Sequence, residues 1–120
     1  AEYSGDSERF GNALRVASYE GVKWAVKLFL DLGADVNYFH SHDQYYYNAL
    51  LAASSQGHTD VVELLLEKGA DFTLTDEGWT PLMRAAANGH IDIARTLLDH
   101  GADIKAAVNQ YGWTVLRAAA

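Results

Sequence analysis

Three short segments fix what this 120-residue chain can fold into: GADVN from Gly33, GADFT from Gly69 and GADIK from Gly101. The second begins 36 residues after the first and the third 32 residues after the second, and a further glycine (Gly21, Gly57, Gly89) stands twelve residues before each. Upstream of these lie NALRVAS from Asn12, NALLAAS from Asn48 and TPLMRAAA from Thr80, with a fourth copy, TVLRAAA, from Thr114. A period in this range marks stacked supersecondary units, each burying its apolar face against its neighbours. The stretch from NAL or TPL to GAD aligns without a gap. All length variation falls between GAD and the next copy, which separates a rigid unit from a tolerant surface connection.

The rigid unit reads as two short antiparallel helices. In the second copy, LLAASSQ carries the small residues Ala52, Ala53 and Ser54, which let a neighbouring helix approach closely, and Gly57 allows the tight turn. The following TDVVELLLEK sets Val61 with Leu65 and Val62 with Leu66 at i,i+4 spacing. Asp60 in its first turn and Lys68 at its end suit the helix dipole, and Gly69 terminates it. The same pattern recurs in WAVKLFLDLG and IARTLLDHG.

At these residues the chain resembles the ankyrin-repeat family, most fully in WTPLMRAAANGHIDIARTLLDHGADIK, Trp79 to Lys105. The resemblance runs over about residues 10 to 120. It implies an all-α repeat, an α-solenoid of helix-turn-helix units joined by β-turn or hairpin fingers. The expected division is repeat 1 over 10–37, repeat 2 over 38–73 with a lengthened finger, repeat 3 over 74–105 and a partial repeat 4 over 106–120. YYNALLAAS and FGNALRVAS, with Asn-Ala in place of Thr-Pro, are similar to ankyrin arrays of fungal NACHT-type signalling proteins. Where the family often carries a histidine, this chain has Arg15, Leu51, Met83 and Arg117, and Val22 replaces the histidine after the first turn glycine. These departures bring the usual inter-repeat hydrogen bonds, not the fold, into question. The opening AEYSGDSERF reads as part of a finger, and the stop at Ala120 inside a first helix reads as a segment cut from a longer array, with Leu97 and Leu116 partly uncovered.

Chemistry finds little purchase. The net charge of −7, from sixteen acids against nine Lys and Arg, argues against a phosphate-tracking surface and so against nucleic acid. No cysteine is present, which excludes a disulfide framework and a thiolate metal site and permits an intracellular, cytoplasmic setting. The apolar runs are far too short to span a bilayer, and no membrane partner is expected. His40 and His42 with Asp43 have the ligand types of a zinc site, but no further ligand stands at a fixed spacing, so no metal is expected. His58 and His90 follow turn glycines at one repeat position and read as structural hydrogen-bonding residues. Asp35, Asp71 and Asp103 read as turn carboxylates accepting backbone N–H groups. There is no GxSxG elbow and no glycine-rich phosphate loop. Neither an enzyme nor a cofactor is expected.

The fingers carry the functional signal. NYFHSHDQYYYNALLAAS packs five aromatic rings and two histidines into a connection. Tyr38, Phe39, Tyr45 and Tyr46 offer large contact area with few rotatable bonds, and His40, His42 and Gln44 add directional contacts. Tyr47, Trp79 and Trp113 share one repeat position, which the resemblance places on the concave, recognising side; Tyr111 lies in the last finger. The resemblance also implicates the residues before each turn glycine: Tyr19 and Glu20, Ser55 and Gln56, Ala87 and Asn88. Arg84 interrupts an apolar position and faces the same groove or solvent. The competing reading is that the rings pack on neighbouring fingers and only stiffen the row. The expectation is a module that binds another protein, or another domain of the same protein, through fingers and first helices.

Overall fold

The computed structural model describes residues 2–40 and 47–103. Six helices follow in order: α1 Glu2–Glu20, α2 Lys23–Asp31, α3 Ala49–Gln56, α4 Thr59–Glu67, α5 Pro81–Ala87 and α6 Ile91–Asp99. They pair as α1–α2, α3–α4 and α5–α6. The first members stack α1 on α3 on α5 and the second members α2 on α4 on α6. The molecule is an all-α repeat, with apolar layers from each pair merging into one continuous core.

Local chemistry explains the pairing. Asn48 and Thr80 sit in extended conformation before α3 and α5, and their side chains accept the Leu51 and Met83 amides. Pro81 opens α5 at a position that needs no amide donor. Helix ends are closed by one recurring device: the residue after each glycine donates its N–H back five residues, Ala70 to the Leu65 carbonyl and His58 to the Ala53 carbonyl, both at 3.0 Å. This geometry needs the left-handed conformation, and Gly69 (φ 90°) and Gly57 (φ 85°) supply it. Ala52, Ala53 and Ser54 are fully buried between first helices, as their small size predicts. Val61, Val62, Leu65 and Leu66 are buried on α4, as the i,i+4 pattern requires.

Two expectations are corrected. Residues 2–20 form one helix, not a finger. The chain before Asn12 holds no proline, and the helix runs through it even across the Ser4–Gly5 pair. Asn12 is therefore not a cap; its Oδ1 accepts a hydrogen bond from Arg15 at 2.5 Å. Leu97, expected to be partly uncovered, is fully buried in the apolar cluster of α5 and α6, while Leu116 lies outside the described residues.

Candidate partner-binding surface

The second finger begins where α2 ends. The Asp35 carboxylate accepts the Asn37 amide at 2.9 Å, and the Asp35 carbonyl accepts the Tyr38 amide at 3.0 Å, turning the chain out of the helix layer. Asn37 then ties this turn to the next repeat: its Oδ1 accepts the Asp71 amide at 2.8 Å and its amide donates to the Gly69 carbonyl at 3.5 Å. Asp71 repeats the Asx turn on Thr73, whose hydroxyl and amide hold its carboxyl below the usual value. The turn-carboxylate reading of Asp35 and Asp71 thus holds.

Beyond the turn the two sides of the finger meet in an isolated antiparallel bridge, Phe39 to Asn48, with the His40 amide donating to the Tyr47 carbonyl at 2.9 Å. Across this bridge the side chains of Phe39 and Tyr47 come into contact. Their rings stack at 4.8 Å between centroids and 15° between planes, with Phe39 57% exposed and Tyr47 half-buried. Tyr38 turns the other way. Its ring lies against Gly11 of α1, where any side chain would collide with it. Gly11 holds the repeat position of Tyr47 and Trp79, so the ring missing from the first repeat is supplied by the next finger. Sequence reading missed this exchange; the one signal was the glycine at an otherwise aromatic position.

The third finger is tighter. Asp76 and Trp79 exchange both backbone hydrogen bonds at 3.0 Å around Glu77 (φ 53°) and Gly78 (φ 84°). Two consecutive positive φ values define the turn whose twist suits a two-residue hairpin. It sets Trp79, half-buried, under Arg84 of α5, whose guanidinium carbon lies 4.9 Å from the ring centroid. Arg84 therefore faces the finger row and is half-buried.

The residues before the turn glycines divide. Glu20, Gln56 and Asn88 are exposed, Tyr19 and Ala87 are half-buried and Ser55 is buried. Asn88 nevertheless reaches across to the previous repeat, donating to the Ser55 carbonyl at 3.0 Å and to its hydroxyl at 3.2 Å. His58 and His90 do the same work one residue past the glycine. Their Nε2 atoms donate to the Tyr19 carbonyl at 2.9 Å and the Ser55 carbonyl at 3.1 Å, which fixes the tautomer because a carbonyl only accepts. Inter-repeat hydrogen bonds are thus carried by His58 and His90, not by the motif position. Leu51 and Met83, standing in for the family histidine, are fully buried instead.

Of the sequence-predicted site, the structure brings Phe39 and Tyr47 together and Trp79 and Arg84 together, and leaves His40 exposed. His42, Gln44, Tyr45, Tyr46, Tyr111 and Trp113 lie outside the described residues. Among the described residues, no group of three or more His, Asp or Glu side chains is placed to hold a metal ion. No helix among them is long and apolar enough to cross a membrane.

A family model for ankyrin repeats, in three copies, matches residues 13–108 and 75–120. A search of curated proteins found no match.

Proposed function

The chain belongs to the ankyrin-repeat family, and from that premise we propose that it binds a protein partner through its fingers and the exposed side of its first helices, without covalent chemistry. The observation that carries this reading is the Phe39–Tyr47 stack. Phe39 keeps more than half of its surface in water while its ring is held flat against Tyr47, so a large apolar contact is presented already ordered. A pre-organised aromatic loses little conformational entropy on binding, which is why such residues anchor interfaces. Trp79 under Arg84 extends the row along α5, with Gln56 and Asn88 at its inner edge. His40, His42, Gln44, Tyr45 and Tyr46 at the finger tip, and Tyr111 and Trp113 further along, belong to the same proposed surface. Asp76 and Glu77 in the third finger, in a chain of net charge −7, favour a partner with basic groups.

The Asn-Ala motif variants NALRVAS and NALLAAS support a second reading. There the segment is a regulatory or spacer part of a larger cytoplasmic signalling protein of NACHT type, whose fingers meet another domain of the same chain. One experiment separates surface from scaffold. A photo-crosslinking residue placed at Phe39 or Asn88 forms adducts in cell extract, whereas one placed at Glu67, exposed on α4, does not. Equal crosslinking from all three positions removes the finger assignment. Replacing Tyr45 and Tyr46 by alanine weakens those adducts while leaving the thermal midpoint nearly unchanged; a matching loss of folding makes them core residues.

A further inference from the structure

The turn glycines of the three units follow Glu20, Gln56 and Asn88. These residues share one repeat position and all three are exposed, Gln56 with a folded unit on either side of it, so the exposure belongs to the position. Chemically they differ. Of the five asparagines in the chain, Asn88 alone precedes a glycine. An asparagine side chain has the length to close an imide ring with the next residue's amide, and glycine leaves that amide unshielded. The Gln56 side chain is one carbon too long to close this ring readily, and Glu20 has no side-chain amide to lose. Asn12, Asn37 and Asn48 are followed by Ala13, Tyr38 and Ala49, whose side chains hinder the approach.

The fold holds this reaction back. Asn88 closes α5 with ψ 5°, so the Gly89 nitrogen eclipses the Asn88 nitrogen instead of facing its Cβ, and the Gly89 N–H donates to the Ala86 carbonyl at 3.2 Å. The Asn88 side chain is drawn the other way, its Nδ2 donating to the Ser55 carbonyl at 3.0 Å and to the Ser55 hydroxyl at 3.2 Å. Ring closure therefore waits on an opening of the α5–α6 turn. Few bonds must break, and they lie at an exposed helix end, where local opening is frequent. We propose that Asn88 is a site of self-modification that unfastens the third unit from the second: when the turn opens, the Gly89 nitrogen displaces the side-chain amide. The Gly89 N–H gives its proton to hydroxide and the nitrogen attacks the Asn88 Cγ. The N–Cγ bond forms, the Cγ–Nδ2 bond breaks, and ammonia leaves with a proton from water. A second water then opens the imide, at Cγ to leave aspartate at position 88 or at the main-chain carbon to leave isoaspartate. Either product puts a carboxylate where an amide donor stood. A carboxylate cannot donate to the Ser55 carbonyl, so the tie across the two units is lost. Conversion also adds a negative charge to the partner surface proposed above; that consequence rests on the binding reading, and the chemistry does not.

The test incubates the whole chain warm, at neutral and at mildly alkaline pH, beside the same chain in urea, and follows tryptic peptides by mass. The peptide from Ala85 to Arg95 gains the mass of oxygen in place of NH, faster at the higher pH, and part of the product is labelled by an isoaspartyl methyltransferase. The folded chain converts about tenfold or more slowly than the chain in urea. In urea, where no fold can be lost, Gly89→Ala suppresses most of the conversion. Asn88→Asp, which carries one of the two products from the start, lowers the thermal midpoint, and the converted chain separated by ion exchange shows the same fall. No mass gain in this peptide while the chain in urea converts overturns the proposal. Equal gain in the peptides that carry Asn12, Asn37 or Asn48 does so too, as does aspartate without isoaspartate, which marks direct hydrolysis. Equal rates in the folded chain and in urea remove the part played by turn opening, and an unchanged midpoint in Asn88→Asp removes the loss of the tie; either overturns it.

Discussion

The first and second repeats carry the same residue at several equivalent places and use it differently. Leu28 on α2 and Leu64 on α4 share one position, yet Leu28 is 44% exposed and Leu64 is 8% exposed. Asn12 and Asn48 share another; Asn48 caps a helix and Asn12 lies within one. Residue identity in a repeat sets what a position can do, and the neighbouring unit decides whether it does so. A row of similar units is consequently not a row of equal energies: α4 lies between two helices, while α2 turns an apolar face outward.

Paired substitutions test this contrast. Leu64→Ala opens a cavity between packed helices and costs about 2–3 kcal/mol, whereas Leu28→Ala costs below about 1 kcal/mol; urea unfolding of both gives the difference. Similar losses would mean that α2 is as deeply packed as α4. Gly57→Ala is the next largest. The left-handed backbone alone costs about 1 kcal/mol or more, and the new methyl also meets the His90 ring, whose Cε1 lies 2.7 Å from its ideal site. Gly89→Ala has the same left-handed backbone (φ 78°) with nothing among the described residues within 4 Å of the methyl, so it loses the backbone share alone. The gap between the two thermal midpoints measures the His90 contact.

Asn48→Ala removes the cap on the Leu51 amide (2.9 Å) and costs about 1 kcal/mol, while Asn12→Ala, inside α1, costs less. A reversed order would contradict the continuous first helix. The smallest effect belongs to Asp71. Its carboxyl titrates below the ordinary 3.8, so the turn is stabilised above that value and the contribution fades as pH falls through the lower folded one. Thermal scans between pH 5 and pH 3 show a slightly steeper acid loss for the native chain than for Asp71→Asn.

Much of this was legible in the sequence. The glycine pairs twelve residues apart, the small-residue first helices and the i,i+4 rows of α4 gave the repeat and its helix ends, because each rests on chemistry local to a few residues. The fingers were legible as aromatic and protruding, but not in their partners. The Phe39–Tyr47 stack joins side chains from the two sides of a finger, and Arg84 over Trp79 depends on how a finger folds back on α5.

By itself the sequence determined the unit: periodic apolar positions and left-handed glycines leave a helix pair few other arrangements. The tertiary structure decided how the units are joined. Tyr38 fills the space over Gly11, His58 and His90 reach carbonyls 39 and 35 residues away, and the opening segment continues as helix. Such contacts depend on the distance and facing of separate elements, which no local pattern encodes; helix caps close within one turn of chain, and the sequence carries them directly.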